Sequence, residues 1–244
     1  MAVETRALND TVVIVTGASS GIGAATVRLL ADAGALVLAT ARREDRLKEL
    51  VAELGDRADY LAADIAAPET GSALVERAVS RFGRLDSIVA NAGVGLYAGI
   101  AGASTEDLAA MLRTNIDGTV WPIRAAVEQF RAQGNGGDIV IIASVAGLRG
   151  GATEAVYAAT KFAQVGLAGS LDREVRADGI RVSTIAPAAV STEFAIGRGR
   201  TEGDPALEQV LRPEDVGHAI LTVLAQPRRV RTTLWTLYSM VEAS

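Results

Sequence analysis

A tyrosine, a lysine and a serine lie close together in the second half of the chain. Tyr157 and Lys161 are four residues apart, and Ser144 lies thirteen residues before Tyr157. Residues four apart share one face of a helix, where a lysine ammonium would lower the tyrosine pKa from its usual value of about 10. A serine hydroxyl at the end of a neighbouring strand could hold a substrate oxygen as charge develops on it. The pattern indicates proton transfer to or from an oxygen atom, although such a tyrosine–lysine pair also arises by chance on surface helices.

A glycine-rich turn near the start of the chain has the composition of a dinucleotide-binding loop. Glycines allow a tight turn and a close approach to a pyrophosphate, which the N-terminus of the following helix would then bind. The alternative is a structural turn without a ligand. A P-loop is disfavoured because no lysine follows the glycines. The residues of this turn that we expect to bind the nucleotide are Gly17, Ser19, Ser20, Gly21, Ile22 and Gly23.

Two arginines indicate which dinucleotide is bound. NAD enzymes usually carry an acidic residue about 20 positions beyond the glycines, where it binds the ribose 2′-hydroxyl. Here Arg42 and Arg43 follow the second predicted strand, and a guanidinium can pair with a 2′-phosphate. We therefore expect NADP(H), with Arg42 as the preferred phosphate ligand because it directly follows the strand. The alternative is that both arginines are solvated residues at the start of the next helix.

Short apolar runs alternate with longer helical stretches along the whole chain, which is typical of a doubly wound sheet. The predicted strands are Thr11–Thr16, Ala35–Ala41, Asp59–Ala63, Ser87–Ala90, Asp138–Ala143, Ile180–Ala186 and Arg231–Leu237. The predicted helices run from the glycine turn to Ala33, over Glu44–Leu54, Pro68–Phe82, Thr105–Arg131 with a bend at Pro122, and Glu154–Ala177, and from Pro213 onward. We expect one α/β domain over 1–244, a Rossmann fold with a mostly parallel seven-stranded sheet flanked by helices. Residues from about 188 to 212 would form a substrate loop, of which the glycine-rich part 197–204 would be mobile.

The composition excludes several classes of protein. The 244 residues include no cysteine and a single histidine, His218, which is expected on a helix surface. Thiol, cysteine–zinc and histidine-based hydrolase chemistry is therefore disfavoured, and no metal is expected. The net charge of −5 without a broad basic stripe argues against nucleic acid. No apolar run nears membrane-spanning length and residues 1–10 lack a signal segment, so we expect a cytoplasmic protein without a membrane partner.

Taken together, these motifs resemble those of the short-chain dehydrogenases/reductases over nearly the whole chain. The matching positions are Thr16 and Gly17, Gly21 to Gly23, Asp64, Asn91-Ala92-Gly93, Asn115, Ser144, Tyr157, Lys161, Pro187 and Thr192. The resemblance implies that Tyr157 is the acid or base at the carbonyl oxygen and that Lys161 binds the nicotinamide ribose. It implies that Ser144 orients the carbonyl and that Asn115 holds a water linking Lys161 to solvent.

The same resemblance implies further contacts to the cofactor. Asp64 would contact the adenine, Ile22 the pyrophosphate, and Val190 and Thr192 the carboxamide. The remaining cofactor residues implied by it are Ile65, Asn91, Ala92, Gly93 and Pro187. Two positions depart from the family pattern. Ala188 stands where a glycine usually follows the proline, which weakens the assignment of Val190 and Thr192, and Ala90 replaces a frequent asparagine.

The resulting expectation is an NADPH-dependent reductase that interconverts a small carbonyl compound and its alcohol. Three alternatives remain: a non-catalytic NADP-binding sensor or scaffold, an NAD-using alcohol dehydrogenase, and an enzyme that uses the same chemistry for epimerisation or dehydration. Small residues on more than one face of the helix Glu154–Ala177 permit close helix packing, and family members commonly pair such helices. We therefore expect a homodimer or homotetramer.

Overall fold

The computed structural model describes residues 4–242, so the predicted domain of 1–244 and the predictions for residues 1–10 extend beyond the described part. Within it, seven strands form one sheet in the order β3-β2-β1-β4-β5-β6-β7, and every neighbouring pair is parallel. The strands are β1 (Val12–Thr16), β2 (Leu36–Ala41), β3 (Ala58–Ala62), β4 (Ser87–Ala90), β5 (Gly137–Ile142), β6 (Ile180–Pro187) and β7 (Leu234–Leu237). The predicted α/β Rossmann fold is confirmed.

In the described part of the chain, eight α-helices connect and cover these strands. They are α1 (Gly21–Asp32), α2 (Glu44–Leu54), α3 (Thr70–Phe82), α4 (Thr105–Leu112), α5 (Gly118–Gln133), α6 (Ala146–Arg149), α7 (Ala155–Val175) and α8 (Pro213–Leu224). Among the described residues, no helix is both long and apolar enough to cross a bilayer. His218 lies on α8 and is exposed, in agreement with the expectation of a surface histidine.

Both faces of the sheet are buried, which explains the apolar character of the strands. In β1, Val13 and Val15 pack on one side against helices α1, α2 and α8. Val12 and Ile14 pack on the other side against α3, α5 and α7. The alternation of side chains along a strand therefore divides the apolar core into two layers, one on each side of the sheet.

The prediction of one continuous helix over Thr105–Arg131 is wrong, because the helix is interrupted. A π segment, Arg113–Asp117, separates α4 from α5, whereas Pro122 lies inside α5. The carbonyl oxygen of Asn115 accepts hydrogen bonds from the side chains of Thr119 and Gln164, at 2.8 and 2.9 Å. These side-chain donors compete with the backbone N–H groups of the regular helix, and π segments often occur at functional sites.

Smaller differences concern the ends of elements. The helix α6 was not predicted, because its four residues are too few to show a period. The last strand begins at Leu234 rather than at residue 231. Ser104 caps α4, since its hydroxyl accepts a hydrogen bond from the backbone N–H of Asp107 at 3.0 Å.

A buried charge cluster lies at the amino ends of the central strands. Asp138 at the start of β5 is 3 % exposed and faces Arg181, its register partner on β6, at 2.6 Å. Arg6 and Arg228 approach the same carboxylate at 3.0 and 2.9 Å. The removal of one partner from such a group leaves buried charge uncompensated, so this end of the sheet has a structural role. The opposite end carries the candidate site.

Candidate active site

A cavity of about 800 Å³ opens at the carboxyl ends of the strands. It lies between β1 and β4, where the direction of strand succession reverses and where open α/β sheets bind their ligands. Of the predicted site residues, all but Gly23 and Asn115 line this cavity. The structure therefore brings together the nucleotide turn and the tyrosine, lysine and serine, which lie more than 120 positions apart in the chain.

The glycine turn is shaped by contacts that no other residue type would allow. Gly17 has a φ of +67°, and a Cβ there would lie 2.8 Å from the Cα of Ala92. A Cβ on Gly23 would lie 2.3 Å from the carbonyl oxygen of Gly17. The side chain of Asn91 closes the turn, because its Nδ2 donates to the carbonyl of Thr16 at 2.8 Å. The predicted roles of the glycines in turning and packing fit this geometry.

The carboxylate of Glu193 lies at the open side of this turn, where two arginines bind it. Arg43 donates from Nε and Nη2 to the hydroxyls of Ser19 and Ser20, at 3.1 and 2.7 Å. Its Nη1 pairs with the carboxylate of Glu193 at 3.0 Å, and Arg46 binds the same carboxylate at 2.7 Å. The two arginines hold the pKa of Glu193 below its usual value. Arg42 lines the same cavity.

Tyr157 lies in an aromatic pocket. Its ring is 6 % exposed and packs edge-on against Tyr97 and at a tilt against Phe194, each with 5.8 Å between ring centroids. Burial raises the pKa of Tyr157 well above its usual value, the neighbouring Tyr97 adds to this effect, and the nearby Ser144 hydroxyl opposes it. The lowering expected from the lysine is not found, since Lys161 does not contribute to the shift.

Lys161 faces the cavity from the same side of α7. Its ammonium lies 5.8 Å from the centroid of the Tyr157 ring and donates to the carbonyl of Ile142 at the end of β5, at 2.9 Å. Burial lowers the pKa of Lys161 to about 7. The lysine thus loses part of its charge near neutral pH, which explains why it does not depress the tyrosine pKa.

Ser144 is held at the point where β5 ends. Its hydroxyl accepts a hydrogen bond from the backbone N–H of Ala146 at 3.1 Å and donates to the carbonyl of Pro187 at 3.4 Å. The second bond is long, so the proton is weakly held and can be turned towards an oxygen in the cavity.

Asn115 lies behind the cavity and supports its wall. Its side chain accepts from the backbone N–H of Val94 at 2.8 Å and donates to the Val94 carbonyl at 2.9 Å. It also donates to the hydroxyl of Thr160 at 3.0 Å. The Asn115 carbonyl accepts from the amide of Gln164, which in turn accepts from Lys161. Lys161 and Asn115 are thus connected through the side chain of Gln164.

Several residues of the site were missed in the sequence. Gln164 lies at the third position after Lys161 and on the same helix face, so the helical period could have revealed it. Phe194, Glu193 and Arg200 lie in the predicted substrate loop, and only their place in the fold brings them to the cavity. Phe194 packs so closely over Gly95 that a Cβ there would lie 2.6 Å from its ring.

The remaining predicted cofactor residues are placed around the same cavity. Asp64 accepts a hydrogen bond from the backbone N–H of Ala66 at 3.1 Å, and Thr192 lies next to Gly21, where a Cβ would be 2.9 Å from its methyl group. The backbone conformation explains why alanine can stand at position 188, where the family usually has glycine. Its φ is not positive, so this position does not require glycine. Ile65, Ala92, Gly93, Pro187 and Val190 also line the cavity.

Comparison with known proteins agrees with this geometry. The sequence profile of the short chain dehydrogenase family matches residues 11–203. An uncharacterized oxidoreductase, YxnA of Bacillus subtilis (strain 168), is 35 % identical over 232 residues, which are 92 % of this chain and 65 % of the relative. The chain thus spans about two-thirds of the length of that relative.

Two solved structures cover nearly all of the chain. A serine dehydrogenase in its closed form complexed with NADP+ has a TM-score of 0.89 and 30 % identity, with 96 % of this chain and 97 % of the other covered. A 3-ketoacyl-(acyl-carrier-protein) reductase from Brucella melitensis, complexed with NADH, has a TM-score of 0.83 and 28 % identity, with 94 % and 97 % covered. With a matching sequence profile and a shared fold, this chain belongs to the short-chain dehydrogenase/reductase family of oxidoreductases.

Proposed function

We propose that the protein is an NADPH-dependent reductase that converts a small ketone or aldehyde to its alcohol. The observation that carries this proposal is a single cavity that holds both the glycine turn and the side chains of Ser144, Tyr157 and Lys161. A nucleotide and a carbonyl compound bound there would lie side by side. When bound, the dinucleotide supplies a hydride to the carbonyl carbon.

The residues of the cavity fit a dinucleotide. Gly17 and Gly23 leave no room for a Cβ against Ala92 and the Gly17 carbonyl, so only glycine allows this tight turn. The first turn of α1 has no acidic side chain that would repel a phosphate. Arg43, Ser19 and Ser20 form a group of donors that a 2′-phosphate could use. Lys161 would hold a ribose hydroxyl.

The proton is supplied by Tyr157 in this proposal. Its raised pKa keeps the phenol protonated at neutral pH, so its Oη can donate to the carbonyl oxygen as the alcohol forms. Ser144 would hold the same oxygen through its weakly engaged hydroxyl. Tyr97 and Phe194 pack against the phenol and exclude water from it.

An NAD-using alcohol dehydrogenase is the second candidate. The solved reductase with NADH shows that this fold also accepts the cofactor without a 2′-phosphate. The pair of arginines with the serine hydroxyls, and the solved serine dehydrogenase with NADP+, favour NADPH for this chain.

Cofactor binding is the experiment that tests this proposal. Purified protein is titrated with NADPH and with NADH while cofactor fluorescence is followed, beside Arg42→Ala and Arg43→Ala. NADPH should bind at least about tenfold tighter, since a charge-assisted pair with a phosphate contributes about 1.5–3 kcal/mol. The arginine variants should lose this preference. Arg124→Ala on α5, which is exposed and does not line the cavity, is the matched control.

Each other outcome has a definite meaning. Equal or tighter binding of NADH would show that the arginines do not select the cofactor, and the second candidate would replace the first. Binding of neither dinucleotide would refute the proposal. If NADPH binds, aldehydes and ketones are then screened for loss of absorbance at 340 nm, with Tyr157→Phe as the inactive reference.

We also propose that the protein forms a homodimer or homotetramer through α7. The outer face of this helix is exposed in the single chain and carries mostly small or apolar residues. These residues are Ala155, Ala159, Phe162, Ala163, Gly166 and Ser170, and Phe162 is 47 % exposed. An exposed apolar face of this kind is typical of an interaction surface.

A further inference from the structure

Gln164 is a buried glutamine that links three polar groups behind the candidate site. It is 2 % exposed and lies one turn beyond Lys161 on α7. Its Oε1 accepts from the ammonium of Lys161 at 2.9 Å. Its Nε2 donates to the carbonyl of Asn115 at 2.9 Å and to the hydroxyl of Thr119 at 2.8 Å. The orientation of the amide is fixed, because an ammonium only donates and a carbonyl only accepts.

These contacts determine the direction in which the ammonium of Lys161 can donate its remaining hydrogen bond. A lysine ammonium has three N–H donors, and two of them are directed to Ile142 and Gln164. The third is then available to the cavity that Lys161 lines. Gln164 is itself held by the π segment through Asn115 and by α5 through Thr119, so its carbonyl is a rigid acceptor rather than a mobile one.

We propose that Gln164 is a positioning residue of the reductase, whose side-chain carbonyl favours the charged form of Lys161 and directs its ammonium at the cofactor site. This inference rests on the proposed function, because the lysine matters only if a cofactor ribose binds beside it. The amide N–H of Gln164 donates to the backbone carbonyl of Asn115, so Gln164 connects the lysine to the π segment.

The physical reason is the cost of burying a charge. Burial lowers the pKa of Lys161 to about 7, and a hydrogen bond to the charged form opposes this effect. On α7, the titratable neighbour is Tyr157, whose ring centroid lies 5.8 Å away. The groups that reach the ammonium from other elements are neutral, namely the Ile142 carbonyl of β5 and Gly93 after β4. The further groups Tyr97, Glu154 and Arg200 act on Tyr157.

The chain offers an unusually direct test, since it contains only two lysines, Lys48 and Lys161. Protein labelled with ¹³C-lysine gives one side-chain signal for each, and the pH dependence of each signal reports its pKa. Lys48 lies on the surface of α2, 3.0 Å from Glu44, and serves as the internal control. The free protein is titrated as wild type, Gln164→Met and Gln164→Glu.

The two variants should move the Lys161 pKa in opposite directions. Methionine keeps the volume but removes the acceptor, so the pKa should fall by about one unit; a glutamate carboxylate should raise it by about one unit or more. A merely structural role would give no shift or the same shift in both. Shifts below about 0.3 unit, or shifts in one direction, would overturn the proposal. If the methionine variant does not fold, as judged by circular dichroism, the glutamate variant decides alone, and an unraised pKa overturns the proposal.

Cofactor binding in the same proteins separates this inference from the proposed function. The dissociation constant of NADPH is measured at pH 6.5 and 8.5. Relative to wild type, Gln164→Met should weaken binding by about threefold at pH 6.5 and by up to about tenfold at pH 8.5, because a pKa one unit lower leaves about a tenth as much charged lysine once both proteins are mostly deprotonated. Failure of the wild type to bind NADPH refutes the proposed function whatever the lysine signals show. Normal binding in both variants with an unmoved lysine refutes the role of Gln164 and leaves the function intact.

Discussion

Tyr157 illustrates how the surroundings of one residue set its chemistry. Two aromatic rings and the body of α7 bury the phenol, and its pKa rises rather than falls. The sequence predicted the opposite direction from the four-residue spacing to Lys161. That argument assumed a fully charged lysine, but the lysine is buried as well and its own pKa falls to about 7. A protonated phenol suits the donation of a proton during reduction.

Replacement of the phenol tests this role. Tyr157→Phe should lower kcat for NADPH-dependent carbonyl reduction by about 10²- to 10⁴-fold, because the general acid is removed. The affinity for NADPH should change less than about twofold, because the ring still fills its pocket. Rates follow from absorbance at 340 nm and affinities from cofactor fluorescence. Tyr97→Phe is the matched control, since it removes a hydroxyl from the neighbouring ring.

The pH dependence provides the second part of this test. Alcohol oxidation requires the phenolate, and the raised pKa of Tyr157 leaves little phenolate at neutral pH. In the wild type, the rate of oxidation should therefore increase as the pH rises from about 7 towards 10. In Tyr157→Phe this increase should disappear. A wild-type oxidation rate that is flat or falling over this range, or a variant that keeps more than a tenth of the reductase activity, would contradict the assignment.

At the scale of the elements, the substrate loop and α2 are joined across the mouth of the cavity. Glu193 from the loop after β6 binds Arg43 and Arg46 from the start of α2. A carboxylate in this position occupies donors that a 2′-phosphate could use. The same loop carries Phe194 next to Tyr157. In the proposed enzyme, binding of a phosphate at Arg43 would therefore be coupled to the position of this loop.

Removal of the Glu193 charge should consequently strengthen the binding of NADPH relative to that of NADH. Glu193→Gln should tighten NADPH binding by about two- to fivefold, since exposed ion pairs are worth about 0.2–1 kcal/mol. NADH binding should be unchanged, because it has no 2′-phosphate to compete for the arginines. The two dissociation constants are measured by fluorescence titration beside Glu202→Gln, an exposed glutamate of the same loop. An equal change for both cofactors would exclude competition at the phosphate site.

The sequence predicts those parts of the fold and site that depend on near neighbours. The spacing of Tyr157 and Lys161 and the glycine pattern after β1 are local features. The ion pair of Arg43 and Glu193, in contrast, joins residues 150 positions apart. The sequence does not indicate which of the many surface charges will pair. The π segment is held in part by Gln164, which lies 49 positions after Asn115 and donates to its backbone carbonyl. Its position could not be derived from the residues of the helix alone.

At the scale of the whole molecule, the exposed face of α7 predicts self-association. The mass in solution should be two or four times that of the chain at micromolar concentration, as measured by light scattering. Ala159→Glu places a charge on this face and should shift the protein towards the monomer, because burial of an unpaired charge is costly. Ala52→Glu, the same change at an exposed position of α2, should leave the mass unchanged. A monomeric wild type would refute the proposed homo-oligomer.

The order of the strands also has a consequence for synthesis of the chain. Of these seven strands, β1 is synthesised first, and it lies in the middle of the sheet, between β2 and β4. Its neighbour on the other side, β4, begins at Ser87, some seventy residues after β1 ends. At roughly 5–20 residues per second, the ribosome needs about 4 to 14 seconds to add that stretch. Throughout this interval one side of β1 has no partner strand, and an open apolar edge is a site of aggregation. The unpaired edge of β1 therefore exposes the nascent chain to aggregation until β4, which ends at Ala90, has been added.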